Sequence, residues 1–281
     1  MRYNLFLGTT LLLLGVCGSA MAGVVVTATH TKLDTRQPAT ATTYVEADRL
    51  KMVNPDMTMI FRGDINRVWT IDTQKRSYVE MTPETMQQLG GQMSNFSAQM
   101  SAAQAQMQAQ LAQMPPEQRA MMEQMLAGRG LSGVPGGRAG GPSAPPQSVY
   151  TKTGQSKTLA NARCDVYRWT INGNPEQELC LAPIASVGLS AADFQVLERF
   201  SKFMEPIMSS PMIPRNSFIS WNEMNKAIGF QGMPLETTIF VGTSPSQQQT
   251  VTKIERMAIP ANTFDLPAGL TKQEIPGPPT R

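Results

Sequence analysis

Methionine thioethers and a cysteine pair are the side chains whose spacing could do chemistry in this chain. Met86, Met93, Met100, Met107, Met114 and Met121 follow one another at intervals of seven residues. A thioether is a soft donor suited to Cu(I), and it is also an adaptable apolar contact. Seven helical residues rise about 10.5 Å, too far for neighbouring stripe methionines to share an ion. The five from Met86 to Met114 therefore read as a contact surface for an apolar ligand or a partner protein. Leu89, Phe96, Ala103 and Leu111 widen that stripe. Met121, Met122 and Met125 differ, because helical spacings of three and four put Met125 beside the other two. They are the alternative metal cluster, with no His or Cys nearby in sequence.

Of the three cysteines, Cys17 falls in a leader, and Cys164 and Cys180 remain. Tyr167, Trp169 and Ile171 alternate on one side of Asn172-Gly173-Asn174-Pro175, and Leu179 and Leu181 alternate on the other. That is the pattern of a β-hairpin. The midpoint of the two cysteines is residue 172, so they face each other across the hairpin and predict a structural disulfide. No Cys-x-x-Cys spacing marks a redox-active pair.

The remaining inventory argues against catalysis. A single histidine, His30, leaves no His-based metal cluster and little room for a catalytic dyad. Glu46 and Asp48 alternate on one predicted strand face, with no partner motif beside them. The formal Gly128-x-Gly130-x-x-Gly133 lacks the strand before and the helix after that a dinucleotide site needs. No cofactor is expected. A net charge of +3 without a basic stripe gives no nucleic-acid footprint. Trp69 and Trp169 are the aromatic candidates for lining an apolar site.

The elements that must position these groups follow from the pattern. Residues 23–81 read as consecutive strands with polar turns, one run covering 42–53. Thr82-Pro83-Glu84 starts a helix, with Thr as cap, Pro at the first position and an acid in the first turn. The helical insertion covers 83–127, and a Gly/Pro-rich linker covers 128–148. Strands resume, Ser190 caps a helix with Phe194, Leu197, Phe200 and Met204 on its apolar face, and two strands close the domain. Residues 272–281 read as a loose tail. The order predicts one α+β domain over 23–271, built on an antiparallel sheet.

Residues 1–22 read as a signal peptide: Arg2, an apolar run from Leu5 to Val16, and Ala20-Met21-Ala22 before a cut after Ala22. Lipoprotein processing at Cys17 is the alternative, with Val16 a poor fit before it. The expected compartment is the periplasm. The apolar run is too short to span a bilayer, and no transmembrane segment is expected in the mature chain.

Several stretches resemble a bacterial secreted family, the domain of unknown function 4412 family. They are Trp69-Thr70-Ile71-Asp72, Arg76-Ser77-Tyr78, Cys164-Asp165-Val166-Tyr167 and Phe264-Asp265-Leu266-Pro267-Ala268-Gly269. The resemblance covers most of residues 40–90 and 150–275, and the order and spacing of these motifs carry it. That family is itself similar to the periplasmic lipoprotein-carrier (LolA/LolB-like) superfamily. The resemblance implies a curved antiparallel half-barrel with helices on its concave side and an apolar groove. It supplies no catalytic residues. The expectation is therefore a non-enzymatic periplasmic binding protein holding a lipid, a lipidated protein or another amphiphile. The alternatives are a Met-rich copper-binding protein and a scaffold that docks a partner through the Met-rich helix.

Overall fold

A computed structural model describes residues 22–113, 115, 147–208 and 221–275. The leader, the Met121/Met122/Met125 cluster, Met114, most of the linker and the last six residues lie outside the described residues. Six strands come first: β1 (Gly23–Lys32), β2 (Gln37–Val45), β3 (Arg49–Val53), β4 (Met57–Arg62), β5 (Arg67–Asp72) and β6 (Ser77–Met81). Helix α1 (Pro83–Gln113) follows, then β7 (Ser148–Leu159), β8 (Ala162–Ile171) and β9 (Asn174–Pro183). Helices α2 (Gln195–Met208) and α3 (Trp221–Ile228) precede β10 (Gly232–Val241), β11 (Ser244–Met257) and β12 (Thr271–Gln273).

The twelve strands form one open sheet in the order β12-β6-β5-β4-β3-β2-β1-β11-β10-β9-β8-β7. Every pairing is antiparallel except β12 with β6. The α+β class expected from the strand and helix order is what the chain adopts. Tight turns make the meander: Asn172 and Gly173 both take positive φ, 50° and 81°, as an Asn-Gly hairpin turn requires. The expected strand over 42–53 is two strands, because Glu46, Ala47 and Asp48 form the turn between β2 and β3. The tail also begins later than expected, since Thr271–Gln273 adds to the sheet beside Ser77–Val79.

The two halves of the sheet close differently. At one end, β7 and β11 come within 8 Å of each other, Cα to Cα, although three strands separate them. On a flat sheet they would stand about 19 Å apart, so this end is curled. The ion pair of Lys157 on β7 with Glu236 on β10 crosses two intervening strands in the same way. Bulges in β7, β10 and β11 supply the bend. Small residues pack on the inside of the curl: Ala28, Ala162, Cys164, Val166, Cys180, Ala182 and Val251 are all buried in one cluster. The disulfide joins Cys164 to Cys180 with Cα atoms 5.2 Å apart. Cys180 sits in register with Val166, so the bond runs diagonally between strands.

The β2–β6 half is closed by a helix instead. Leu50, Phe61 and Val68 face Val196, Leu197, Phe200 and Phe203 of α2. Phe61 meets Phe200 and Phe203 at centroid distances of 5.4 and 5.8 Å. Ile60 and Trp69 alternate to the other face, where they pack with Ile71 under Phe264.

Candidate functional site

Helix α1 grows out of β6 at a defined start. Thr82 Oγ1 accepts from the Thr85 backbone N–H at 3.3 Å, and Thr85 Oγ1 accepts from the Thr82 N–H at 2.7 Å. Pro83 at the first helical position gives up an N–H that had no partner to lose. The helix then runs for 31 residues, about 46 Å at the usual rise.

Only its base is held. Met86 is fully buried. One turn on, a Cβ at Gly90 would stand 2.5 Å from the Pro206 carbonyl oxygen. Glycine is therefore what lets α1 lie directly against α2. Beyond this joint the helix leaves the body. Met93 is half-buried, Phe96 is 37% exposed and Met100 is 57% exposed. Gln99, Ala103 and Gln106 are exposed as well. Met107 lies on the same helix, and its side chain is outside the description. The methionine stripe thus changes role along its length, from core at Met86 to open surface at Met100.

The joint is braced through α2. The short 3-10 turn Ala191–Phe194 leads into that helix. Asp193 Oδ2 accepts from the Ser190 N–H at 2.7 Å. Arg256 of β11 donates to both Asp193 oxygens, at 3.0 and 2.6 Å. Burial pushes the Asp193 carboxyl up, but Arg256 and Ser190 together outweigh it and hold the pKa below the ordinary value.

The two tryptophans are packed into cores. Trp69 donates from Nε1 to Glu80 at 3.3 Å, and Glu80 also pairs with Arg67 and Lys272. The Lys272 hydrogen bond leads in lowering the Glu80 pKa. Trp169 donates to Ser148 Oγ at 2.6 Å and stacks on Tyr150 at 5.9 Å. Burial pushes the Tyr150 phenol up to about 12. Trp69 packs with Ile60, Ile71 and Phe264, and through Glu80 it reaches the cleft at the base of α1, whereas Trp169 belongs to the β7–β8 pair.

Clefts lined by described residues open on the surface. One of about 590 Å³ runs past His30, Lys32, Asp56, Thr237 and Gln249. There the His30 ring nitrogen Nε2 lies 3.1 Å from Gln247 Oε1. A second, of about 450 Å³, lies by the β2–β3 turn and Asp193. Its Glu46 is paired with Arg49, and Asp48 lies 3.8 Å from Arg199. Both carboxylates of that turn are thus engaged by guanidinium groups. A third, of about 430 Å³, separates the base of α1 from β12 and is lined by Glu80, Gln88, Leu89, Gln92 and Lys272. Each mixes polar and apolar walls. Among the described residues no three His, Cys, Asp or Glu side chains cluster to hold a metal. No described helix is long and apolar enough to cross a membrane.

Sequence reasoning missed the Gly90–Pro206 joint. Its signal was present, since two glycines in mid-helix cost about 1 kcal/mol each relative to alanine and so mark close packing. The Arg256–Asp193 clamp carried no local signal, because 63 residues separate its members.

No family model matches the chain, and no curated protein matches it. Among solved structures, an uncharacterized conserved protein from Thermus thermophilus aligns with a TM-score of 0.41 and 8% identity over 91% of each chain. Two structures of PNGF-II align with TM-scores of 0.35 and 0.36, at 7% and 8% identity. Those alignments cover 90% of this chain and 31% and 32% of PNGF-II.

Proposed function

We propose that the chain is a non-catalytic interaction protein of the periplasm, in which the rolled sheet holds α1 outward as the contact element for a partner protein. The observation that carries this reading is the fate of one stripe along one helix. Met86 is 0% exposed and Met100 is 57% exposed. A helix that only sealed its own core would bury the stripe throughout. Methionine suits a surface that must adapt to a partner. The Cys164–Cys180 bridge fits an oxidising compartment.

Site-specific photo-crosslinking in the native compartment tests the reading. A crosslinker at Phe96 or Met100 is expected to trap a protein, and one at the exposed Thr252 of β11 is not. Absence of any protein adduct at both α1 positions contradicts it.

A second reading, carriage of a lipid or other amphiphile, is favoured by the cover on the β2–β6 half. There one amphipathic helix, not a second sheet, lies over Leu50, Phe61 and Val68. An acyl chain gains about 0.8 kcal/mol per buried CH₂, so a long one could compete with Phe200 and Phe203 for that face. Against it stands the curled half, whose concave side is packed with the chain's own small residues. Native mass spectrometry of the gently purified chain discriminates. A stoichiometric extractable lipid supports carriage, and the bare disulfide-bonded mass sinks it.

A further inference from the structure

We propose that α1 pairs antiparallel with α1 of a second copy of this chain, as a two-stranded coiled coil over its outer turns. The inference rests on the docking reading above and names the partner.

The period carries it first. A straight helix drifts about 20° per heptad from a seven-residue repeat. The stripe of Met86, Met93, Met100 and Met107 keeps that repeat over the whole described helix. Such a stripe stays in contact along its length only where the helix supercoils about another helix. The chain's own α2 meets this helix at Gly90, and Met86 is buried one turn before it. The same face continues past that contact with Phe96, Met100 and Ala103 exposed.

The flanking chemistry then selects a second copy. Each outer methionine is preceded by glutamine: Gln92, Gln99 and Gln106. A side-chain amide both donates and accepts, so glutamine pairs with its own kind. Gln99 and Gln106 are exposed beside the stripe. The helix carries one charged residue, Glu84, in 31. Two copies therefore meet without like-charge repulsion, while a charged partner helix would find nothing complementary.

The body sets the direction. The sheet hangs from the N-terminal end of α1, so parallel pairing would press two sheets together at one end. Antiparallel pairing sends them to opposite ends of a rod about 46 Å long. The heptad register then places Met100 of one copy beside Ala103 of the other, large against small, with Gln99 flanked by Gln106.

Sedimentation velocity of the full secreted chain tests this, with Met100→Glu as the disrupting variant. Wild type is expected at twice the chain mass, and Met100→Glu at the chain mass with unchanged far-UV circular dichroism. Direction is read from oxidised mixtures of Met100→Cys and Ala103→Cys chains. Cys164 and Cys180 are already joined and do not compete. Mixed crosslinks outnumbering like ones are expected. Wild type at the chain mass at every concentration overturns self-pairing, as does a Met100→Glu chain that keeps the doubled mass. Like crosslinks in excess overturn the antiparallel arrangement. A monomeric wild type leaves the docking reading standing, which falls only with its own photo-crosslinking test.

Discussion

The base and the outer turns of α1 carry the same residue at the same period and do opposite things. At the base, Met86 is sealed and Gly90 lets two helices touch. Two turns further on, Phe96 and Met100 face solvent. Hydrophobic pattern alone specifies a stripe. What the stripe covers depends on what the rest of the chain places beside it, and at Gly90 that is α2. The contrast teaches that periodicity reports a capacity for contact, and the sheet decides which part of that capacity is used within the chain.

Truncations along the stripe sharpen the contrast most. Met86→Ala is expected to destabilise by about 2–5 kcal/mol, as core truncations do. At a dilution where the chain is a single copy, Met100→Ala should stay within about 0.5 kcal/mol of wild type, as surface changes do. Urea midpoints at constant m-value measure both. Equal losses at the two positions would erase the distinction.

Removal of the disulfide comes next. Cys164→Ser with Cys180→Ser is expected to cost about 3 kcal/mol for a loop of this size. The loss should show as faster amide exchange in β8 and β9, leaving the α1–α2 joint protected.

The paired glycines give an internal control of opposite sign. Gly91 has open space around its Cβ position, whereas Gly90 does not. Gly91→Ala should stabilise by about 0.5–1 kcal/mol through helix propensity. Gly90→Ala should destabilise by about 1–3 kcal/mol, because the Pro206 backbone must shift. Thermal melts of the two variants decide it, and two gains would remove the joint from the account.

The smallest effect is electrostatic. Asp193→Asn weakens the clamp on α2 by about 1 kcal/mol, the scale of a partly exposed charged hydrogen bond. The folded-state pKa of Asp193 is lowered. Its contribution is therefore present above the unfolded carboxylate value of about 3.9. It is lost as pH falls through the lower folded value. Wild type and Asp193→Asn should differ at neutral pH and converge in acid, as urea midpoints across that range would show.

Local order was the legible part of the sequence. Asn172-Gly173 announced a hairpin, Thr82-Pro83-Glu84 a helix start, and Cys164 and Cys180 a staple, because each depends on a few neighbouring residues. Glu46 to Asp48 misled, since alternation continues in sequence through a turn that the β2–β3 register makes necessary. Trp69 and Trp169 are legible as large strand aromatics, but their hydrogen bonds to Glu80 and Ser148 are not, because strand pairing decides them. The curl was not readable. It arises from bulges at Thr27/Ala28 against β11, at Pro234/Glu236 and at Lys152/Ser156. A bulge is fixed by the partner strand, which single-strand patterns do not contain. The extent of stripe burial was equally hidden, since it depends on where α2, a hundred residues later, comes to rest.

Hydrogen exchange along α1 tests the central claim most directly. It should be followed by mass spectrometry at a dilution where the chain sediments as a single copy. Strong protection is expected at the base, around Met86 to Gly90, and rapid exchange from Phe96 to Ala103, with the outer turns gaining protection as concentration rises. Uniform protection along the helix at the lowest concentration would contradict the claim, because the outer stripe would then already be covered by its own chain.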